Sequence, residues 1–220
     1  MPQIGFIFDW DGVIVDSSDL HEKSWNILAE EVSLPLPEAH FKKGFGKKNS
    51  VIIPEILGWT LDEAKIDQWG KRKEEIYREL GEKSGIQIID GIHDFLMEMK
   101  LNNISAVIGT STERQNIELA FEQLGIENFF QGAICAEDVN QGKPHPEVFI
   151  KGAKLLGLPP ELCVVFEDSP HGIEGARSGG MKAVAFTTSQ PAFLLKEAGA
   201  NLIVDSPKEL TVLSLAQLFD

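Results

Sequence analysis

The sequence predicts an α/β protein: a doubly wound parallel sheet with a small helical domain inserted after its first strand. Three observations carry that expectation. Short unbroken apolar runs are bounded by turn residues, helix-period segments lie between them, and residues 17–84 contain helical patterns but no run of strand type. Continuous rather than alternating apolarity marks strands covered on both faces, and strand alternating with helix marks a parallel sheet.

The strand runs are residues 4–8, 105–109, 133–135, 163–166, 183–186 and 201–204. After the insert, Ile92, Phe95, Leu96 and Met99 fall on one helical face within residues 91–100. Ile117, Ala120, Phe121 and Leu124 repeat the spacing, and Gly125 stands where a helix C-terminal glycine belongs. Within the insert, helices are expected over residues 20–32, 39–43, 51–57 and 62–80, with Trp25, Trp59, Trp69 and Tyr77 as packing residues. The chain is expected to return to the sheet through Ile86-Gln-Ile-Ile-Asp-Gly91. The division is then 1–16 with 85–220 for the α/β body and 17–84 for the helical insert.

Apolar residues at 43% and charged residues at 25% suit a globular protein with a substantial core. A net charge of −14 speaks against nucleic acid or an anionic membrane as partner. The first apolar run is too short for a signal peptide and has no basic flank, and nothing approaches the ~18 apolar residues of a membrane span. Cys135 and Cys163 both lie in apolar runs and read as buried free thiols. The glycosylation-type triplet at Asn103 carries no weight without an export signal. The expectation is a cytoplasmic monomer whose partner is a small molecule.

Sites in open α/β sheets lie beyond the carboxyl ends of the strands. After the first run comes Asp9-Trp-Asp-Gly12, whose two carboxylates repel each other unless a cation or proton lies between them. After the fourth comes Glu167-Asp168-Ser169, at an equivalent place. Together they offer the oxygen-rich set that suits Mg²⁺ when a phosphate completes the shell. After the second comes Thr110-Ser111-Thr112, hydroxyls and main-chain N–H groups able to hold an anion. Lys143-Pro-His-Pro146 puts a lysine on a stiff loop. The alternatives at each point are a solvated acidic turn, a surface lysine, a helix-start acid at Glu167 and first-turn helix residues at Thr112 and Arg114. The glycine loop at 44–49 is no P-loop, because Phe41 stands where its first glycine is needed.

These four segments, in this order, resemble the haloacid dehalogenase superfamily of phosphotransferases over essentially the whole chain. The resemblance implies that Asp9 is the nucleophile, forming an aspartyl-phosphate, and that Asp11 is the acid–base. Thr110 and Lys143 would hold the phosphoryl oxygens, and Mg²⁺ would be bound by Asp9, the Asp11 main-chain carbonyl and Asp168, with Glu167 close by. Asp11 argues for phosphate esters, since dehalogenases of the superfamily lack a second aspartate. The insert then matches a mobile cap of the β-phosphoglucomutase-like branch, with hinges near 16–18 and 84–85. His21, Gly46 and Lys73 would face the substrate, together with Ser111 and Thr112 of the core. The mutases carry an arginine near position 49, whereas this chain has Asn49, with Lys47 and Lys48 beside it.

The function expected is Mg²⁺-dependent hydrolysis of a small phosphorylated metabolite of the sugar-phosphate kind. The alternatives are a phosphomutase with the same Asp9 chemistry and a non-enzymatic phospho-acceptor module, which would have no use for the helical insert.

Overall fold

The computed structural model describes residues 4–44 and 46–219. In chain order the elements are β1 Gly5–Phe8, β2 Val15–Asp16, α1 Ser18–Val32, α2 His40–Gly44 and α3 Asn49–Val51, which runs into a π-helical turn, Ile52–Ile56. Then follow α4 Glu63–Ser84, β3 Gln87–Ile88, α5 Ile92–Leu101, β4 Ser105–Gly109, α6 Arg114–Leu124, β5 Ala133–Ile134 and α7 Glu147–Leu156. The chain closes with β6 Cys163–Glu167, α8 Pro170–Ser178, β7 Lys182–Phe186, α9 Ala192–Glu197, β8 Leu202–Val204 and α10 Val212–Ala216.

The six expected strands form one parallel sheet in the order β5-β4-β1-β6-β7-β8. From β1 the chain winds outward through β4 to β5, then returns to place β6 on the other side of β1. The reversal falls between β1 and β6, and a crevice opens at the carboxyl ends of strands where winding reverses. The two faces of the sheet explain the unbroken apolar runs. Phe6, Phe8 and Phe166 pack with Phe95 of α5 on one face, while Ile7, Val107 and Val165 pack with Phe149 of α7 on the other. Phe8 and Phe166 stack with ring centroids 4.4 Å apart. Both cysteines are free and buried, and burial pushes their thiols up to about 12 for Cys135 and about 11 for Cys163.

Segment 86–91 differs from the expectation. Gln87 and Ile88 do not join the sheet but pair antiparallel with Asp16 and Val15 as a two-stranded ribbon. The reason lies in the topology: β1 already has β4 and β6 on its two sides, so no edge is open there. The ribbon ties together the points where the chain leaves for the helices and comes back.

Helices α1 to α4 gather a separate apolar cluster of Trp25, Leu28, Ile52, Ile53, Leu57 and Ile76. Trp59 stands edge-on to Trp25 at 6.1 Å and to Trp69 at 6.0 Å. Helix α4 starts at the side chain of Asp62, which accepts from the Ala64 and Lys65 amides. No helix among the described residues is long and apolar enough to cross a membrane.

Candidate active site

The Asp9 amide donates to the Phe166 carbonyl at 2.9 Å, so the β1–β6 ladder runs one residue past β1 and aims Asp9 at the end of β6. The chain then turns tightly, with the Trp10 carbonyl accepting from the Val13, Ile14 and Val15 amides. Gly12 takes φ +73°, and a Cβ there would lie 1.8 Å from Asp168 Oδ2. Only glycine lets the two acidic segments come this close.

Ligand-type oxygens of Asp9, Glu167 and Asp168 lie within 4.8 Å of one another, all three residues buried. Lys143 enters the cluster, its Nζ 2.7 Å from Asp9 Oδ1 and 2.5 Å from Glu167 Oε1. Three carboxylates against one ammonium leave an excess of buried negative charge, which a low-dielectric site resists. Burial, reinforced by Glu167 and opposed by Lys143, pushes the Asp9 carboxyl up to about 7. Burial likewise raises Asp168 well above the usual carboxylate range, with Glu167 and Asp9 adding to it.

The donors fit a hard divalent cation. Asp168 Oδ1 is buried with no hydrogen-bond partner, while its Oδ2 accepts from Ser189 Oγ at 2.6 Å. Glu167 is different, for both its oxygens are occupied. Oε1 takes Lys143, and Oε2 accepts from the Asp168 amide, the Ser169 amide and Ser169 Oγ, each at 2.9 Å. It is wedged beneath Gly172, where a Cβ would stand 1.8 Å from Oε1. This saturated carboxylate orients Lys143 and the start of α8, leaving Asp9 and Asp168 with the open oxygens.

Asp11 occupies a separate niche. Its Oδ1 accepts from Ser17 Oγ at 2.5 Å and from His21 Nε2 at 3.1 Å, and its Oδ2 accepts from Thr112 Oγ1. Burial works to raise this carboxyl, but His21, Ser17 and Thr112 outweigh it and hold Asp11 well below the usual range. Thr110 is buried beside it, its amide bonded to the Ile134 carbonyl and its hydroxyl accepting from the Thr112 amide at 3.2 Å.

The Asp9 and Asp11 niches open into one cavity of about 880 Å³ between the sheet's carboxyl edge and the helices. Ser111, Thr112, His21, Gly46 and Lys73 line the same cavity, whereas Lys143, Glu167 and Asp168 lie behind Asp9. Phe45 of the 44–49 loop lies outside the described residues. Lys73 is buried, its Nζ 2.6 Å from His21 Nδ1 and 2.8 Å from Glu74 Oε1. Arg114 turns away to Asp138, and His145 accepts from the Glu147 amide.

Glu74, Asn116 and Ser17 join this network without any signal in the sequence. Glu74 Oε1 accepts from Asn49 Nδ2 and Oε2 from Asn116 Nδ2, both at 2.7 Å, which bonds α4 to α6. Burial opposes ionisation of Glu74, yet Lys73, His21 and Asn49 bring its carboxyl down to about 2 from 4.5. A carboxyl lowered on folding contributes stability that is complete above its unfolded value and is lost as pH falls toward the folded one. Glu74→Gln is therefore expected to lose on the order of 3 kcal/mol at neutral pH and to flatten the acid limb between about pH 5 and about pH 3. Urea unfolding across that range checks it, and an unchanged acid limb would refute the assignment.

The profile of the haloacid dehalogenase-like hydrolase family matches residues 6–186. A 5-amino-6-(5-phospho-D-ribitylamino)uracil phosphatase of Arabidopsis thaliana, described as chloroplastic, is 37% identical over 99% of this chain. The chain spans 58% of that relative's length. The β-phosphoglucomutase of Bacillus subtilis is 29% identical over 94% of this chain and 91% of its own. Among solved structures, a family IA, variant 3 hydrolase of Entamoeba histolytica superposes with TM-score 0.89 at 28% identity, covering 98% of this chain and 99% of its own. A β-phosphoglucomutase of Clostridium difficile gives 0.86 at 28%, covering 100% and 97%.

Proposed function

The chain belongs to the haloacid dehalogenase-like hydrolase family, and from that premise we propose that it is a Mg²⁺-dependent phosphatase acting on a small phosphorylated metabolite through an aspartyl-phosphate on Asp9. The observation that carries the reading is the buried Asp9–Asp168–Lys143 cluster at the point where the winding of the sheet reverses. Named phosphatases among its relatives, including a fructose-1-phosphate phosphatase of Escherichia coli at 26% identity, support it.

Asp9 and Asp168, with the Asp11 main-chain carbonyl, would hold the ion, which when bound supplies positive charge against the phosphoryl oxygens. Lys143 lies against Asp9 and opposes the burial that raises its carboxyl, favouring the carboxylate form that would attack phosphorus in line. Thr110 with its hydroxyl, and Ser111 with its hydroxyl and amide, would donate to the equatorial oxygens. Asp11, ionised and held by three donors, is set as the base that takes a proton from the water hydrolysing the intermediate. For the first half-reaction it must carry a proton to the leaving oxygen. Because burial alone raises its carboxyl, loss of the Ser17 and His21 contacts favours that form. Both donors lie at or on α1, so movement of residues 17–84 as a cap over the core would couple closure to the state of Asp11.

A phosphomutase would need a second anion site far from Asp9, where Asn49 is instead bonded to Glu74. A panel of phosphorylated metabolites assayed for released phosphate tests the proposal. Release is expected with Mg²⁺ and is expected to stop reversibly in EDTA. Full activity in excess EDTA would overturn the metal assignment. Glucose 6-phosphate formed from β-glucose 1-phosphate without matching phosphate release would favour the mutase.

A further inference from the structure

We propose that the site selects a singly phosphorylated ester whose far end is bulky and either uncharged or amine-bearing, and that a second phosphate on the same molecule is rejected. The inference rests on the phosphatase reading and adds the class of substrate. A cavity of about 880 Å³ stands high in the range of about 300–1,000 Å³ typical of small-molecule sites. It therefore has room for a leaving group larger than one sugar ring.

The charges along this cavity are unevenly placed. Every cation on its wall among the described residues already has a partner. Lys48 Nζ donates to the Ala136 and Val139 carbonyls at 2.8 and 2.9 Å, and Lys47 Nζ lies 3.2 Å from His171 Nε2, both at the edge of the sheet. Gly46 approaches Ser169 on the same side, so these two lysines act at the end where the reacting phosphate sits. Lys73 is enclosed by His21 and Glu74. Lys71 at the outer wall is paired with Asp67 at 2.7 Å. His40 Nδ1 donates to the Pro37 carbonyl at 3.0 Å.

The outer wall carries Glu55, Glu63 and Asp67, all exposed, against the single charge of Lys71. A dianionic second phosphate there would meet net negative charge among the described residues, with Lys71 already paired to Asp67. The same wall offers apolar surface from Pro54, Ile66 and Leu61, the last 85% exposed in spite of its size. Such surface favours a ring or other broad apolar face, and the carboxylates tolerate a hydroxyl or amine beside it.

The test compares matched esters at about pH 8 with Mg²⁺ and low salt, where unscreened charges act over ~10 Å or more. Fructose 1-phosphate is expected to exceed fructose 1,6-bisphosphate in kcat/KM by at least about 10-fold, and riboflavin 5′-phosphate to exceed glycerol 3-phosphate. The exposed pair Glu55→Lys/Glu63→Lys is expected to narrow the first ratio, as is raising salt to ~0.5 M. Equal turnover of the two fructose esters, or a preference for glycerol 3-phosphate, overturns this inference and leaves the phosphatase reading standing. A ratio unmoved by both the charge reversal and salt also overturns it. Release of phosphate from no ester overturns the phosphatase reading, and this inference with it.

Discussion

Asp9→Asn is expected to lower kcat by at least about 10⁴-fold on any ester the enzyme hydrolyses, the scale on which loss of a covalent nucleophile is felt. Asparagine keeps the shape of the side chain, so the site survives while its attacking oxygen is lost. The fold is expected to gain rather than lose. Asp9 is a buried carboxyl pushed up to about 7 beside two other carboxylates. Its neutral replacement lowers the charge excess and leaves Lys143 with Glu167. Thermal unfolding in EDTA should therefore give the variant a Tm at or above that of the parent. Activity within about 10-fold of the parent would remove Asp9 from the nucleophile role, and a lower Tm would contradict the charge argument.

Lys143→Ala is expected to damage stability and turnover together. The ammonium is buried and touches Asp9 and Glu167 at 2.7 and 2.5 Å. Its loss leaves two buried carboxylates without their counter-charge, which costs about 3–5 kcal/mol when one partner of a buried pair is removed. The penalty should be largest near pH 8 and shrink toward about pH 5, because unpaired buried carboxyls can then take up protons. Lys143→Met separates lost volume from lost charge and should be nearly as damaging. Urea unfolding at the two pH values decides this; a loss below about 1 kcal/mol in both variants would place the lysine among screened surface pairs.

The sheet was legible in the sequence because each strand is buried on both faces, so its apolar run is unbroken, as in Gly5–Phe8 and Cys163–Glu167. The Val15–Asp16 and Gln87–Ile88 ribbon was not, since two residues per strand carry no period. Asp9, Asp11, Thr110, Lys143 and Asp168, which the structure gathers at one end of the sheet, stand in the sequence directly after such runs or on a stiff loop. The role of Glu167 could not be read there. That the acidic side chain beside Asp168 meets Lys143 and the amides of the turn follows from the close approach of Gly172, which no spacing in the sequence reveals. Glu74 and Asn116 were illegible for a related reason. Each looks like an ordinary polar residue on an amphipathic helix, and only the packing of α4 on α6 buries them face to face. Lys73 carries the same lesson, since a run of alternating charge on α4 reads as solvated until His21 and Tyr77 are seen to cover it.

In the proposed chemistry the phosphoryl group passes through one side chain, that of Asp9. Turnover of a phosphate ester in Mg²⁺, quenched in acid and followed by peptide mass mapping, measures that directly. The predicted result is a gain of ~80 Da, the mass of a phosphoryl group, on the peptide containing Asp9. It should be sensitive to hydroxylamine, build up further in Asp11→Asn and be missing in Asp9→Asn. Turnover that proceeds with that peptide unmodified in the parent and in Asp11→Asn, or with the added mass on a different residue, would contradict it.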